Sequence, residues 1–176
     1  MDKREFKFYH ADRHSLMSEM STILPMYNNT SKFGNFYIPR FQSLDPKITM
    51  DGPTQRELLL ENIRAVQFPQ QPSRLSCLFA ANTIPDAKAF ALSIVPTPSH
   101  SIRIFEVFAS KFVILDSIWL DYDTADMETR IQYYKQYWWA TISQHTPATY
   151  ERKAPMLEVL LPLPVRMGRI VSIVDS

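Results

Sequence analysis

The sequence is poor in cysteine and glycine, and each shortage excludes a class of site. One cysteine, Cys77, is present in 176 residues, so neither an internal disulfide nor a cysteine-rich zinc site can form. Only three glycines stand against thirteen prolines, and the patterns GxGxxG and GxxxxGK(S/T) do not occur. These features exclude the glycine-rich loops that hold phosphates and predict many stiff turns.

Long apolar runs and a dominant charge are missing as well. Pro, Ser or Lys interrupts every apolar run well short of the about 18 residues needed to cross a membrane, and no secretory leader follows Met1. The net charge is +1, which creates no general attraction for a polyanion but permits a local basic patch. We therefore expect a cytosolic protein without a membrane partner, folded as one domain over residues 1–176.

The four histidines do not predict a metal site. Only His10 and His14 have the i, i+4 spacing that places two ligands on one helix face. Because His10 ends a strand-like run, that spacing does not bring the two rings together, and we expect no metal.

Alternating and helical patterns together predict an α+β fold. Strands are expected over residues 5–10, 75–80, 102–108, 112–115, 156–162 and 169–174. Helices are expected over residues 15–24, 53–67, 83–92 and 124–144. Residues 25–52 show no sustained period, and we expect an irregular connection that serves as a lid.

The two longest helices each carry a predicted face. In the helix over 53–67 we expect an apolar face and a solvated charged face: Leu58, Leu59, Ile63 and Val66 on the first, Arg56, Glu57, Glu61 and Arg64 on the second. In the helix over 124–144 the aromatic cluster from Tyr133 to Trp139 is interpreted as a core face. The alternative is a platform on which nucleic-acid bases stack.

Three residues stand out because each is polar or aromatic at the end or in the interior of a predicted strand: His10, Phe79 and Glu158. Each has an ordinary explanation taken singly. A strand-end imidazole can simply be hydrogen-bonded, a phenyl ring can belong to the core, and a carboxylate on an edge strand can face solvent.

Taken together, the three resemble the His-type branch of the ADP-ribosyltransferase superfamily, which includes diphtheria-like toxins and poly-ADP-ribose polymerases. Tyr9-His10-Ala11 is similar to the end of the first strand of that branch. Leu78-Phe79-Ala80, followed eleven residues later by Phe90 on a helix, is similar to its strand-turn-helix. Glu158 in a late apolar strand is similar to its glutamate. The resemblance implies a split, mixed or antiparallel sheet with flanking helices.

The resemblance also implies a role for each matching residue. His10 would hydrogen-bond the ribose of NAD, and the backbone of Ala11 would bind the nicotinamide amide. Phe79 and Phe90 would flank the nicotinamide ring. Glu158 would hold the ribose 2′-hydroxyl and stabilise the oxocarbenium-like state that forms as nicotinamide leaves.

Several alternatives stay open at this point. Arg13 or Arg74 could anchor NAD in place of His10, and Arg74 could equally reach a phosphate. Met156 stands two residues before Glu158, where arginine-modifying members carry a glutamate, so arginine is a less favoured acceptor.

The expected activity is transfer of ADP-ribose from NAD to a macromolecule, with release of nicotinamide. The acceptor is a nucleic acid or a protein, and the aromatic cluster with Lys135, Arg152 and Lys153 favours nucleic acid. The resemblance implies an intracellular effector of a toxin–antitoxin, phage or antiphage system, with an antitoxin or inhibitor as a partner. The alternatives are an NAD-dependent RNA 2′-phosphotransferase and a non-catalytic binding protein on the same fold.

Overall fold

A computed structural model describes residues 4–144 and 154–175, which form an α+β fold of seven strands and five helices. The strands are β1 (Phe6–Asp12), β2 (Thr22–Ile23), β3 (Cys77–Ala80), β4 (Ile102–Ala109), β5 (Val113–Asp116), β6 (Leu157–Pro162) and β7 (Val165–Val174). The helices are α1 (Lys32–Phe41), α2 (Pro46–Thr49), α3 (Gly52–Gln67), α4 (Ile84–Ser93) and α5 (Met127–Trp138). The predicted fold class is confirmed.

The strands form two antiparallel sheets that meet at one point. One sheet has the order β1-β4-β7-β2, and the other has the order β3-β6-β5. A single antiparallel bridge between Tyr9 and Ala81 joins β1 to the chain just after β3. Beyond that bridge the two strands no longer pair, so the combined sheet is split along this line.

Three apolar clusters cover the two faces of the sheets. The first lies among α3, α5 and the β3-β6-β5 sheet and includes Leu60, Trp138 and Leu160. The second, on the opposite face, draws residues from both sheets, among them Phe8 and Val159. The third packs α4 against β1 and β4. Because the second cluster spans both sheets, one continuous core crosses the split.

The buried face of α3 differs from the prediction. Its buried residues are Thr54, Glu57, Leu60 and Ile63. Leu58 and Val66, expected inside, are 37% and 79% exposed. The helix is rotated from the expected orientation because Glu57, expected in solvent, has a charged partner in the core.

The helix predicted over residues 15–24 is wrong. The segment contains only the short strand β2, and Ser15 and Met20 have positive φ angles of 55° and 57°, which a helix cannot accommodate. The buried carboxylate of Asp12 accepts the N–H groups of Leu16 and Met17 at 3.0 Å each. These bonds hold the backbone in a turn, which competes with the hydrogen bonds that a helix would need here.

The interpretation of residues 25–52 as irregular is also wrong, because α1 and α2 lie there. Gly34 and Pro39 inside α1 hide its periodicity in the sequence, although Ser31 caps it by accepting the N–H of Gly34. Gly34 is needed for close packing: a Cβ atom at this position would lie 2.0 Å from the carbonyl oxygen of Leu75. α1 therefore lies directly on the 3-10 turn Arg74–Ser76 that leads into β3.

The last helix is shorter than predicted. α5 begins after Asp126, whose side chain accepts the N–H of Thr129, and it ends at Trp138. Tyr134, Tyr137 and Trp138 are buried, which confirms the core interpretation for these three rings. Trp139 is 58% exposed, and its ring makes an edge-to-face contact with that of Phe68.

Candidate functional site

The split between the sheets exposes backbone groups of β1. Tyr9 donates its N–H to Ala81 O at 2.9 Å and accepts the Ala81 N–H at 2.8 Å. Because alternate residues of a strand direct their backbone groups to the same side, Ala11 turns its N–H and C=O towards the split as well. The Ala11 oxygen accepts the N–H of Arg13 at 3.1 Å. The Ala11 N–H is therefore directed at the split.

The His10 ring bridges the two sheets. Its Nδ1 lies 2.7 Å from the carbonyl oxygen of Phe79, and since a carbonyl only accepts, Nδ1 must carry the proton. Burial lowers the pKa of His10 below its ordinary value of 6.5, so the ring is neutral at pH 7. The proton on Nδ1 leaves a lone pair on Nε2, which can accept a hydrogen bond from a hydroxyl group.

Phe79 and Glu158 point to the same face. Phe79 pairs with Leu160, and Glu158 lies two residues from Leu160 on β6, so all three side chains project to one side of the sheet. Ala81, two residues after Phe79, shares that face, and the bridge places Tyr9 and Ala11 there too. Phe90 of α4 packs against the third cluster, as do Tyr9 and Ala11.

The two phenylalanines of the predicted ring slot pack in different clusters. Phe79 belongs to the first cluster, where its ring centroid lies 4.8 Å from that of Phe33 in α1. Phe90 belongs to the third cluster on α4. Within the described residues the two rings do not contact each other. The strand register places Phe79 on the face that carries Glu158, and Phe90 lies on α4 with the cluster that includes Ala81.

Glu158 lies in a buried ion cluster. It is 6% exposed, as is Arg74, and Glu57 is 1% exposed. Arg74 Nη1 donates to Glu158 Oε1, and Arg74 Nε donates to Glu57 Oε2 at 2.9 Å. The Tyr137 hydroxyl donates to Glu158 Oε1 at 2.5 Å and accepts from Arg74 Nη1 at 2.6 Å. The explanation of Glu158 as a solvent-facing residue is therefore wrong.

The cluster is stabilised by charge and by aromatic rings. Burial opposes the charge of Arg74, but Glu158 and Glu57 outweigh it and keep the pKa of Arg74 well above its ordinary value. The guanidinium carbon lies 4.8 Å from the ring centroid of Phe79 and 5.4 Å from that of Tyr137. Burial raises the pKa of Tyr137, so its hydroxyl remains a donor at neutral pH.

Neither arginine proposed as an alternative NAD anchor is free in the structure. Arg74 is held between the two carboxylates described above. Arg13 donates from Nη2 to Ile94 O at 2.7 Å and to Pro96 O at 2.8 Å. Burial lowers the pKa of Arg13. Both guanidinium groups thus contact the chain itself, whereas His10 Nε2 has no hydrogen bond to a described residue.

Glu57, Tyr137 and Phe33 were not predicted to belong to the site. Glu57 was assigned to the solvated face of α3, Tyr137 to the general core, and Phe33 to an irregular connection. The burial of Thr54 and Leu60, three residues to either side of Glu57, is the pattern that could have indicated its direction. No local pattern identifies its partner, because Arg74 lies 17 residues further along the chain.

The predicted nucleic-acid surface is only partly described. Tyr134, Tyr137 and Trp138 are buried and cannot stack on bases without unfolding α5. Trp139 remains exposed. Arg152 and Lys153 lie outside the described residues.

The described residues contain neither a membrane-spanning helix nor a metal-binding cluster. No helix in 4–144 or 154–175 is long and apolar enough to cross a membrane. Within the same ranges, no group of three or more His, Cys, Asp or Glu side chains is arranged to hold a metal ion.

Comparison with known proteins gives a family without an assigned activity. No curated protein matches the chain. One family model, described as a protein of unknown function (DUF2441), matches residues 40–151. The match covers α3, α4 and α5 with Glu57, Arg74 and Phe79, and it stops short of both His10 and Glu158. It spans more than half of the 176 residues, and the chain therefore belongs to the DUF2441 family.

Proposed function

We propose that this chain is an NAD-dependent ADP-ribosyltransferase that modifies a macromolecule in the cytoplasm and releases nicotinamide. The observation that carries the proposal is the register: Phe79 and Glu158 share one face of the sheet. That face borders the split, towards which the backbone N–H of Ala11 is directed. The His10 side chain alternates with those of Tyr9 and Ala11, so it projects from the opposite face of β1, and its Nδ1 reaches the split at the Phe79 carbonyl oxygen. Groups for a flat ring, an amide and a developing cation thus lie at one face, and the imidazole reaches the split from the other.

The polar groups at the split match the nicotinamide riboside part of NAD. The Ala11 N–H can donate to the carboxamide oxygen. His10 Nε2, which carries a lone pair, can accept a hydrogen bond from a ribose hydroxyl. Phe79 offers a ring face near the carboxamide, with Phe90 approaching from α4. The aromatic rings supply apolar area and the two polar groups supply orientation, as is usual in small-molecule sites.

Glu158 supplies the electrostatic part of the reaction. The bond between ribose C1′ and the nicotinamide nitrogen breaks, and its electron pair leaves with neutral nicotinamide. The ribose carries the positive charge until a nucleophile of the acceptor attacks C1′ and loses its proton to solvent. A buried carboxylate fixed beside that cation stabilises the transition state without needing to reorganise.

The acceptor and setting follow from the resemblance. We propose a nucleic-acid acceptor ahead of a protein, and an effector role in a toxin–antitoxin, phage or antiphage system, where an antitoxin or inhibitor would be the natural partner. The lack of a second glutamate at Met156 disfavours arginine as the modified side chain.

One observation favours a rival function. Arg74 and Tyr137 both bind Glu158 Oε1, which is the arrangement expected if the glutamate has only a structural role and the fold merely binds a ligand. An RNA 2′-phosphotransferase has no such support, because it needs basic side chains converging on a phosphate and Arg13 and Arg74 are both engaged.

The experiment is incubation of the purified chain with NAD labelled in its adenylate part, with and without cell-extract fractions. The proposal predicts free nicotinamide and, with the right fraction, a labelled macromolecule. Glu158→Gln should reduce the rate by about 100-fold or more. Glu128→Gln, the same substitution at an exposed position of α5, should leave the rate unchanged.

Protease and nuclease treatment then identify the acceptor class. Label that survives protease and is lost on nuclease treatment supports a nucleic-acid acceptor, and the reverse result identifies a protein. Binding of NAD without turnover in any fraction would overturn the transferase in favour of the binding protein. Absence of NAD binding would overturn both.

A further inference from the structure

Arg74 divides its hydrogen bonds unequally between Glu57 and Glu158. This division determines how much of the negative charge of Glu158 is neutralised. Glu57 takes the Nε and Nη2 edge of the guanidinium, at 2.9 Å and 3.4 Å. Glu158 receives only the Nη1 group, which it shares with the Tyr137 hydroxyl. One cation thus faces two carboxylates and cannot neutralise both.

The negative charge that remains is concentrated on Glu158. Arg56 Nε lies 3.4 Å from Glu57 Oε1 and supplies Glu57 with a second cation. Within the described residues, Glu158 has no second cation within ion-pair distance. Of the two carboxylates, Glu158 is therefore the one with uncompensated charge in a setting of low dielectric constant, where a charge acts strongly on its neighbours.

The same contacts fix the orientation of the carboxylate. Both donors to Glu158, Arg74 Nη1 and Tyr137 Oη, bind Oε1. Oε2 has no hydrogen bond to any described residue. Arg74 cannot swing to cover Oε2, because its other edge is held by Glu57 and its faces by aromatic rings. One oxygen is thus bound to the protein and the other is left to accept a hydroxyl.

We propose that Glu57 is a positioning residue that acts through Arg74: by holding the Nε and Nη2 edge, it restricts Arg74 to one oxygen of Glu158. The inference rests on the proposed function, since the retained charge matters for the ribose cation. Glu57 contacts neither NAD nor the reacting atoms. Its effect should therefore appear in the chemical step and not in binding of NAD.

The test is the steady-state kinetics of NAD cleavage by Glu57→Gln. The variant keeps the shape of the side chain and removes its charge, so Arg74 can turn fully onto Glu158 and neutralise it. We expect kcat to fall by about 10- to 100-fold with KM for NAD unchanged. Glu57→Asp, which restores the charge, should recover most of the rate.

The matched control is Glu61→Gln, one turn further along α3. Glu61 bonds Arg64 and Ser73 instead of Arg74, so the same loss of charge should leave kcat unchanged. Melting temperature and circular dichroism check that each variant is folded. If Glu57→Gln does not fold, Tyr137→Phe is tested instead. This variant removes the hydroxyl that contacts both Arg74 Nη1 and Glu158 Oε1. We expect kcat to fall by about 3- to 10-fold.

The outcomes separate this inference from the proposed function. If the wild type cleaves NAD and Glu158→Gln does not, but Glu57→Gln matches the wild type, Glu57 has no positioning role and the proposed function stands. A raised KM with unchanged kcat, or an equal loss in Glu61→Gln, also overturns the inference. If the wild type does not cleave NAD, both fail together.

Discussion

Two buried carboxylates lie on neighbouring strands, and they differ in how many of their oxygens accept hydrogen bonds. Asp116, at the end of β5, is 0% exposed and uses both oxygens: Oδ1 accepts the N–H groups of Ile118 and Met156, and Oδ2 accepts that of Ser143 at 2.7 Å. Glu158, on β6, uses one oxygen for two donors and leaves the other without a bond to the described residues.

The difference separates a structural carboxylate from a candidate functional one. Asp116 accepts hydrogen bonds from three separate stretches of backbone, so both of its carboxylate oxygens are occupied within the fold. Glu158 carries charge and a free acceptor at the face that borders the split. A largely buried charged group with an unoccupied acceptor beside a cleft is a candidate for acting on a ligand.

The largest expected effect is on stability at Asp116. Asp116→Asn replaces one acceptor oxygen by an NH₂ group that faces a backbone N–H, so we expect a loss of about 3 kcal/mol in the free energy of unfolding. Glu158→Gln keeps an acceptor for Tyr137, and Arg74 keeps Glu57, so a loss of only about 1 kcal/mol is expected. Urea denaturation of both variants measures the two values.

The control for this pair is Asp123→Asn, because Asp123 has an 80% exposed side chain and its variant should match the wild type. An equal or larger loss in Glu158→Gln would contradict the distinction, since it would mean that Glu158 is as much a part of the scaffold as Asp116.

A second effect concerns the packing of α1 over the Arg74 turn. Gly34→Ala would bring a Cβ to 2.0 Å from the Leu75 carbonyl oxygen, so α1 must move away from the turn. We expect a loss of about 2 kcal/mol in the free energy of unfolding and, because Phe33 on α1 contacts Phe79, weaker NAD binding. Differential scanning calorimetry and NAD titration measure the two effects.

Gly52→Ala is the matched control, since no atom lies within 4 Å of a Cβ added there. Its melting temperature and NAD affinity should stay close to those of the wild type. If Gly34→Ala behaves like Gly52→Ala, α1 is not in close contact with the turn. In that case α1 does not help to hold Arg74, the ion partner of Glu158, in place.

Local signals in the sequence predicted much of this fold. Thr83 with Pro85 marks the start of α4, and alternation marks β1 and β4. These features depend on contacts within a few residues, so a pattern in the chain is enough to reveal them. α1 was missed because Gly34 and Pro39 are usually helix-breaking residues, and only its packing against Leu75 explains the glycine.

The candidate site was less predictable because its contacts are distant along the chain. Glu158 was singled out as a carboxylate in an apolar strand, but its ion pair with Arg74 spans 84 residues. Glu57 was placed in solvent because it was grouped with Arg56, Glu61 and Arg64 as charged side chains of one helix, and such side chains ordinarily face solvent. The roles of His10, Phe79, Phe90 and Glu158 towards NAD stay predictions.

The smallest expected effect concerns His10, which is also satisfied at one polar atom and free at the other. Burial lowers its pKa below 6.5, so the unfolded chain binds the proton first. The contribution of His10 to stability is therefore present above that value and is lost as the pH falls through the lower pKa of the folded state. Asn cannot take up this proton, although its amide can still donate to the Phe79 carbonyl.

The difference in unfolding free energy between the wild type and His10→Asn should therefore narrow as the pH falls from about 7.5 to about 5. Urea denaturation across this range measures it, and contributions shared by both proteins cancel in the difference. A constant or widening gap for His10→Asn would mean that its ring is not held neutral at the split, and that Nε2 is not the acceptor that a ribose hydroxyl requires.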